Sequence, residues 1–264
     1  MTIILTLLAG ILYLSATAHI AHELRAGRGE RRAVFLTAGA AAAAMHGALA
    51  AQMLVTPQGI DLGLFSAGSL VGVLIAVVAL ITSLFRPVAA LTVGAFPTAF
   101  TLLLLASLFH DSYTPRYFAP GIGVHIALSV LAYAVLAMAM AHAVLLSAQN
   151  RRFRDHRTLL RALPPIQTME AILFELVAIG FALLSLAIIA GMFYVEDFFA
   201  QHLVHKTVLT FAGWLALGVL LAGHHFAGWR GTTAVRWTSA AVALLVVAFF
   251  GSKLVLELIL ARTG

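Results

Sequence analysis

Long apolar runs recur along the whole chain and constrain its fold more than any other feature of the sequence. Each run is close to the ~20 residues that an α-helix needs to cross the hydrocarbon core of a bilayer. A helix suits such a run because, in hydrocarbon, every backbone N–H and C=O group must find its partner inside the protein. Eight membrane spans are predicted, near residues 1–24, 33–54, 62–85, 88–109, 122–148, 171–195, 207–227 and 236–261. The expected fold is therefore all-α, a polytopic bundle of eight transmembrane helices that forms one domain over residues 1–264.

The composition supports the membrane class and excludes several functions. Hydrophobic residues make up 62% of the chain and charged residues only 10%, whereas a soluble domain carries about 25% charged residues. The formal net charge of +6 does not indicate nucleic-acid binding, since the basic residues lie in short connections between apolar runs. The chain contains no cysteine, which excludes disulfides, cysteine-ligated iron–sulfur clusters and thiol chemistry of its own.

The basic residues predict the direction of the spans. Twelve of the 16 lysine and arginine residues lie at the connections that follow spans one, three, five and seven. Because connections rich in these residues stay on the cytoplasmic side, both termini are predicted on the outer, periplasmic side. Three other cations, Arg116, Lys206 and Arg262, then lie on the outer side.

Eleven histidines stand out in a chain with so few polar residues, and the predicted topology divides them between the two sides. The outer set consists of His46, His110, His125, His202 and His205. The inner set, to which the sequence assigns no role, consists of His19, His22, His142, His156, His224 and His225. Several histidines have a simpler interpretation as ordinary side chains at the membrane surface or in solvent. They are the ones at span ends and in the arginine-rich connection: His110, His156, His202, His224 and His225.

Three of the outer histidines are candidate ligands. His46 and His125 lie within spans, where ionisable residues usually face a protein interior and serve a function. His205 lies at the start of span seven, directly beside Lys206. Neutral imidazole binds zinc, copper and haem iron, and haem iron takes only one or two axial ligands from the protein. Two histidines that face each other across an apolar cleft would meet that need, whereas the outer half shows no cluster of carboxylates for a hydrated pair of metal ions.

Two carboxylates, Glu170 and Glu175, open predicted span six. We expect both to lie near the positive end of that helix dipole, where an anion is stabilised.

Several sequence pieces together indicate a family. These pieces are His125–Tyr133 (HIALSVLAY), Leu163–Glu170 (LPPIQTME), His205–Leu209 (HKTVL) followed by Trp214, Gly228–Gly231 (GWRG) with Arg236 and Trp237, and Phe249–Lys253 (FFGSK). In their order and spacing the chain resembles the cytochrome c assembly family of membrane proteins, the CcsA, CcmC and HemX group. The likeness covers most of the chain, is best over residues 120–260, and is closest to the inner-membrane YpjD branch.

The resemblance implies a multi-pass protein of the bacterial inner membrane that takes part in cytochrome c-type biogenesis and binds haem. Family members with known roles handle haem at the outer face, with a histidine on each side of a tryptophan-rich segment. His125 and His205 match those two positions, which implies bis-histidine ligation of haem iron with His46 as a supporting or alternative ligand. This chain departs from the pattern because Phe198 and Phe199, rather than tryptophans, precede span seven.

The resemblance implies an assembly factor rather than an enzyme, and two other functions stay open. The first is a transporter of a metal ion or small metabolite, although the sequence shows no inverted repeat. The second is an accessory subunit, because runs of small residues such as 40–44 allow close helix approach. The expected partners are haem, other membrane or cytochrome-assembly proteins and the lipid bilayer, but not nucleic acid.

Overall fold

The chain folds into long α-helices joined by short connections. The computed structural model describes residues 2–26, 32–86, 89–109, 115–118, 120–152, 165–194, 204–251 and 254. Within these residues it contains eight long helices: α1 (Thr2–Ala26), α2 (Arg32–Leu54), α3 (Leu64–Phe85), α4 (Thr92–Leu108), α5 (Pro120–Arg152), α6 (Ile166–Tyr194), α7 (Val204–Ala227) and α8 (Gly231–Val246). With the short helical turns next to α4 and α8 included, all eight are long and apolar enough to cross a membrane. The predicted all-α fold with eight spans is confirmed.

Short elements adjoin these helices. A 3₁₀ turn, Ala89–Leu91, precedes α4, and a π-helical segment, Val247–Gly251, continues α8. Two short strands, β1 (Val55–Thr56) and β2 (Gly59–Ile60), form an antiparallel hairpin between α2 and α3. Some residues singled out from the sequence lie outside the described residues: His110, His156, Phe198, Phe199, His202 and Arg262.

Two helices begin earlier than the hydropathy predicts. Helix α6 begins at Ile166 and α8 at Gly231, each five residues before the predicted start. The first turns of both helices carry polar residues such as Gln167 and Thr232, which lower the local hydropathy. These turns therefore extend the helices beyond the most apolar part of each span. For α6 the start directly follows Pro165, a residue type favoured at helix beginnings because its φ is already helical.

The eight helices pack as two groups of four. In the N-terminal group, α1 to α4, each helix packs on the next and α4 closes back on α1. The C-terminal group, α5 to α8, has the same ring order, and α3 packs on α5 to join the groups. Glycines allow close approach within both groups, since a Cβ at Gly10 would collide with the Phe100 ring and one at Gly180 with Leu136.

One end of the molecule is closed by a backbone bridge. Ile60 and Arg116 exchange two backbone hydrogen bonds, of 2.9 and 3.2 Å, which ties the hairpin to the segment before α5. Gly59 has a φ of 126°, and a Cβ there would lie 2.5 Å from the carbonyl carbon of Arg116. The Tyr117 hydroxyl donates to the Pro57 carbonyl oxygen at 2.7 Å. This end also holds the start of α1, and we call it the arginine-poor end.

The opposite, arginine-rich end holds the connections after α1, α3, α5 and α7. There the Arg86 guanidinium of α3 donates to the Glu175 carboxylate of α6 at 2.6 Å. Both side chains are about half exposed (47% and 50%), and exposed ion pairs contribute only about 0–1 kcal/mol. The pair therefore links the two helix groups without contributing much stability.

Candidate functional site

His125 lies in the second turn of α5, at the arginine-poor end of the C-terminal group. Its ring Nδ1 is 2.7 Å from the carbonyl oxygen of Ala187 in α6. Because a carbonyl oxygen can only accept, Nδ1 carries the proton and donates. The other nitrogen, Nε2, then carries the lone pair and is the ring atom that can coordinate a metal. A histidine ligand is usually oriented in this way, by a hydrogen bond from its second nitrogen.

A cation and an aromatic ring lie beside this imidazole. The Lys206 ammonium of α7 is close enough to His125 to interact with it electrostatically. The same ammonium lies 5.2 Å from the ring centroid of Phe249, in the π-helical segment. Helices α5, α6 and α7 and the π-helical segment therefore converge around His125.

A tyrosine lies deeper in the C-terminal group. Tyr133 follows His125 by eight residues, about 12 Å along the helix axis. Its hydroxyl donates to the Leu245 carbonyl oxygen of α8 at 3.1 Å and lies within hydrogen-bonding reach of the Thr210 side chain of α7. Its ring centroid is 5.6 Å from that of Phe249. Tyr133 thus links α5 to α7 and α8 at a level farther from the arginine-poor end than His125.

His205 is placed differently from His125. It is the second residue of α7, and its side chain is exposed. Adjacent residues in a helix are ~100° apart around the axis, so His205 points away from the direction that Lys206 takes toward Phe249. Among the described residues no contact joins the rings of His125 and His205.

His46 belongs to the N-terminal group and is completely buried. Its Nε2 is 3.1 Å from the Ser69 hydroxyl of α3, and its Nδ1 is 3.4 Å from the Tyr13 hydroxyl of α1. Both ring nitrogens therefore have protein partners, and both partners lie in the N-terminal group. The structure does not bring His46 together with His125.

The histidines predicted on the inner side fall into three environments. His142 is fully buried in α5, where Nδ1 donates to the Met138 carbonyl oxygen at 3.3 Å. The Nε2 atoms of His142 and His19 are buried without a hydrogen-bond partner among the described residues. His22 and His225 are exposed.

His224 belongs to a structural clamp that the sequence did not reveal. Its ring stacks on Phe174 of α6 at 3.5 Å between centroids, and its Nδ1 donates to the Trp229 carbonyl oxygen at 2.9 Å. The Trp229 ring in turn packs against Trp237 of α8, with centroids 5.5 Å apart. The turn between α7 and α8 is thereby held against α6.

Glu170 completes this clamp through a bond to the start of α8, a partner that the sequence did not predict. It lies in the second turn of α6, and its carboxylate accepts a hydrogen bond from the Gly231 N–H at 2.7 Å. Gly231 is the first residue of α8, so the anion lies at the positive end of the α8 dipole rather than that of α6. Gly228 and Gly231 have φ values of 63° and 57°, which glycine adopts without strain. The sequence pointed to these residues only in that Glu170 and Gly228–Gly231 belong to the pieces that resemble the family.

The donors around His125 suit a metal that brings most of its own ligands. Among the described residues, no three histidine, aspartate or glutamate side chains come together to hold a bare metal ion. His125 instead supplies one oriented imidazole nitrogen. The Lys206 cation lies nearby, and the Phe249 ring lies between that ammonium and the deeper Tyr133 ring. A haem requires one or two such nitrogens in an apolar setting, so these residues fit one axial position of a haem.

Comparison with known proteins defines the class. The profile of the cytochrome C assembly protein family matches residues 35–260 of the chain. The inner membrane protein YpjD of Escherichia coli K12 is 31% identical over 261 residues, which cover 97% of this chain and 99% of that protein. An uncharacterized 28.8 kDa protein of Azospirillum brasilense is 35% identical over 178 residues, or 64% of this chain and 62% of that one. No solved structure matches the chain.

The chain is therefore a multi-pass membrane protein with eight spans, and it belongs to the cytochrome c assembly family. Within that family it is similar to the YpjD proteins over nearly its full length. The resemblance inferred from the sequence pieces is confirmed, as is the expected location in the bacterial inner membrane.

Proposed function

We propose that the protein binds and handles haem during cytochrome assembly, with His125 as an axial ligand through Nε2. One observation carries this proposal: the His125 Nδ1–H is committed to the Ala187 carbonyl oxygen, which leaves Nε2 as the coordinating atom. The position of His125 within an apolar span supports it, because ionisable residues in membrane spans usually serve a function.

The chain's own residues would orient and neutralise the cofactor. Bound haem would supply a redox-active iron and two anionic propionates. The Ala187 carbonyl oxygen holds the His125 ring in one orientation, and the Lys206 ammonium is a suitable partner for a propionate carboxylate. The Phe249 ring, beside the Lys206 ammonium, is the apolar group proposed to lie against the flat macrocycle.

His205 is proposed as the second axial ligand. It begins α7, and its exposed side chain is free of the helix packing that immobilises His46. Ligation requires the His205 imidazole to turn from its exposed position toward α5. His46 has both nitrogens engaged, so it would have to give up a buried hydrogen bond to act as an alternative ligand.

The site is proposed to face the periplasm. In the sequence, twelve of the 16 basic residues belong to the connections that follow spans one, three, five and seven, which the positive-inside rule assigns to the cytoplasm. His125 lies at the opposite end of its helix. Both termini would then be periplasmic, and all 264 residues would form one transmembrane domain. Reporter fusions check this topology. An alkaline phosphatase fusion after Gln58 should be active and one after Arg154 inactive, and the reverse pattern would place the site in the cytoplasm.

Absorption spectra test the haem proposal. Protein purified in detergent, with haem added where needed, is expected to show a Soret band that His125→Ala reduces by most of its intensity. His205→Ala should convert a six-coordinate low-spin spectrum into a five-coordinate high-spin one. His46→Ala is the control with a buried imidazole elsewhere, and its spectrum should match that of the wild type.

Two outcomes would overturn the proposal. Folded wild-type protein that shows no Soret band after haem addition would leave the transporter or accessory-subunit function instead. A band that survives His125→Ala but disappears in His46→Ala would move the site to the N-terminal group.

A further inference from the structure

A cavity that is separate from the His125 site lies between the two helix groups. It is a groove of about 420 Å³ bordered by α3, α4 and the end of α8 with its π-helical segment. The residues that define its shape are Gly68 of α3, Leu102 and Leu105 of α4, and Val247 and Phe250 of the π-helical segment. All of them lie in the halves of their spans nearer the arginine-poor end.

The chemistry of the groove limits what can occupy it. Its walls are almost entirely apolar, and a bound water needs two to four polar partners. A charged ligand is excluded for the same reason. The groove also lacks any imidazole or carboxylate among the residues that line it, so it offers no ligand to a haem iron. The remaining chemical class is a hydrocarbon.

The position of the groove indicates the source of that hydrocarbon. Its lining residues lie within three membrane spans, so the medium at its mouth is the interior of the bilayer. Phe65 lines the groove at the start of α3, shortly after the hairpin that closes the arginine-poor end, and its ring stacks on Phe109 with centroids 5.3 Å apart. A lipid with its headgroup at that surface would place its chain at the depth of the groove.

We propose that this groove binds one acyl chain of a phospholipid from the leaflet at the arginine-poor end. The missing side chain at Gly68 opens the site, since a Cβ there would lie 3.8 Å from both Leu102 and Phe250. The π-helical segment gives the groove one wall through Phe250, while its neighbour Phe249 packs on Tyr133. The acyl chain therefore supports the segment that also borders the His125 site, but its binding does not depend on haem.

Photolabelling in nanodiscs tests the site. The probe is phosphatidylglycerol with a diazirine on one acyl chain, diluted into unlabelled phosphatidylethanolamine and phosphatidylglycerol. After irradiation and digestion, labels are expected to concentrate on peptides that contain residues 64–68, 102–105 and 246–251. Gly68→Leu fills the groove and should reduce labelling of these peptides at least fivefold.

Gly94→Leu is the matched control. Gly94 lies on α4 near its other end, is exposed, and has no atom within 4 Å of a Cβ built there. The same side chain added at Gly94 should leave the labelling pattern unchanged. If Gly68→Leu proves unstable, Gly68→Ala, whose Cβ makes only ordinary contacts, should give a smaller reduction at the same peptides.

Two results would overturn the proposal. One is labelling spread evenly over lipid-exposed residues such as Ile11 and Leu215 and insensitive to Gly68→Leu. The other is a non-phospholipid molecule, such as an isoprenoid quinone, that co-purifies with the wild type and is lost in Gly68→Leu.

Discussion

The clamp between Glu170 and the start of α8 makes a quantitative prediction. Replacing Glu170 by Ala removes the acceptor for the Gly231 N–H, which is 2.7 Å away. A hydrogen bond to a charged group contributes about 1.5–3 kcal/mol to stability. We therefore expect Glu170→Ala to lower the free energy of unfolding by about 1.5–3 kcal/mol, since the carboxylate also faces the positive end of the α8 dipole. Glu170→Gln should lose less, because it keeps an acceptor oxygen but not the charge.

Glu175→Ala is the matched control on the same helix. Glu175 also accepts a short hydrogen bond, from Arg86 at 2.6 Å, but both side chains are about half exposed. Its loss should cost only about 0–1 kcal/mol. Both substitutions remove one carboxylate and introduce the same helix-favouring residue, so helix propensity and net charge cancel in the comparison.

The assay is reversible unfolding in mixed micelles with increasing SDS, followed by far-UV circular dichroism and tryptophan fluorescence. Two of the three tryptophans, Trp229 and Trp237, lie in or next to the clamped turn, so fluorescence reports on that region directly. Glu170→Ala should also shift the fluorescence of the folded state, whereas Glu175→Ala should not. A loss of stability in Glu170→Ala no larger than that in Glu175→Ala would refute the assigned role of the clamp.

Two further substitutions test other contacts in the same unfolding assay. Gly59→Ala should cost about 1–3 kcal/mol, because φ is 126° there and the added Cβ would meet the Arg116 carbonyl. Gly94→Ala is its control and should be neutral or stabilising, and equal effects of the two would contradict the assigned strain. Tyr133→Phe removes the hydroxyl that donates to the Leu245 carbonyl oxygen and should cost about 1 kcal/mol. If Tyr133→Phe leaves the SDS midpoint of unfolding unchanged, the hydroxyl does not link α5 to α8 in the folded protein.

The two helix groups share a ring order but differ in how their histidines are hydrogen-bonded. Each group of four packs in the same order, yet the polar side chains inside them are arranged differently. His46 in the N-terminal group is satisfied on both nitrogens by Tyr13 and Ser69. His125 in the C-terminal group donates from Nδ1 to the Ala187 carbonyl oxygen, and its Nε2 is the atom that we propose as a ligand.

The sequence singled out His125 as a candidate, but it did not predict the hydrogen bonds of the site or the separation of His125 from His46. His125 was a candidate because an imidazole within an apolar span is costly unless it faces the protein. Its acceptor could not be predicted, because Ala187 contributes a backbone carbonyl 62 residues away and a carbonyl carries no sequence signal. The partner of Glu170 could not be predicted for a related reason: it is the backbone N–H of Gly231 on another helix.

The sequence by itself determined the fold class, the number of spans and the family. These follow from local composition, since a run of about 20 apolar residues has few stable conformations in a bilayer other than a helix. Only the tertiary structure decided which polar atoms meet, where α6 and α8 begin, and that His46 and His125 belong to different helix groups. The physical reason is that apolar helices in lipid can pack on many faces, and their arrangement is selected by close contacts at residues such as Gly10 and Gly180 and by a few interhelical hydrogen bonds.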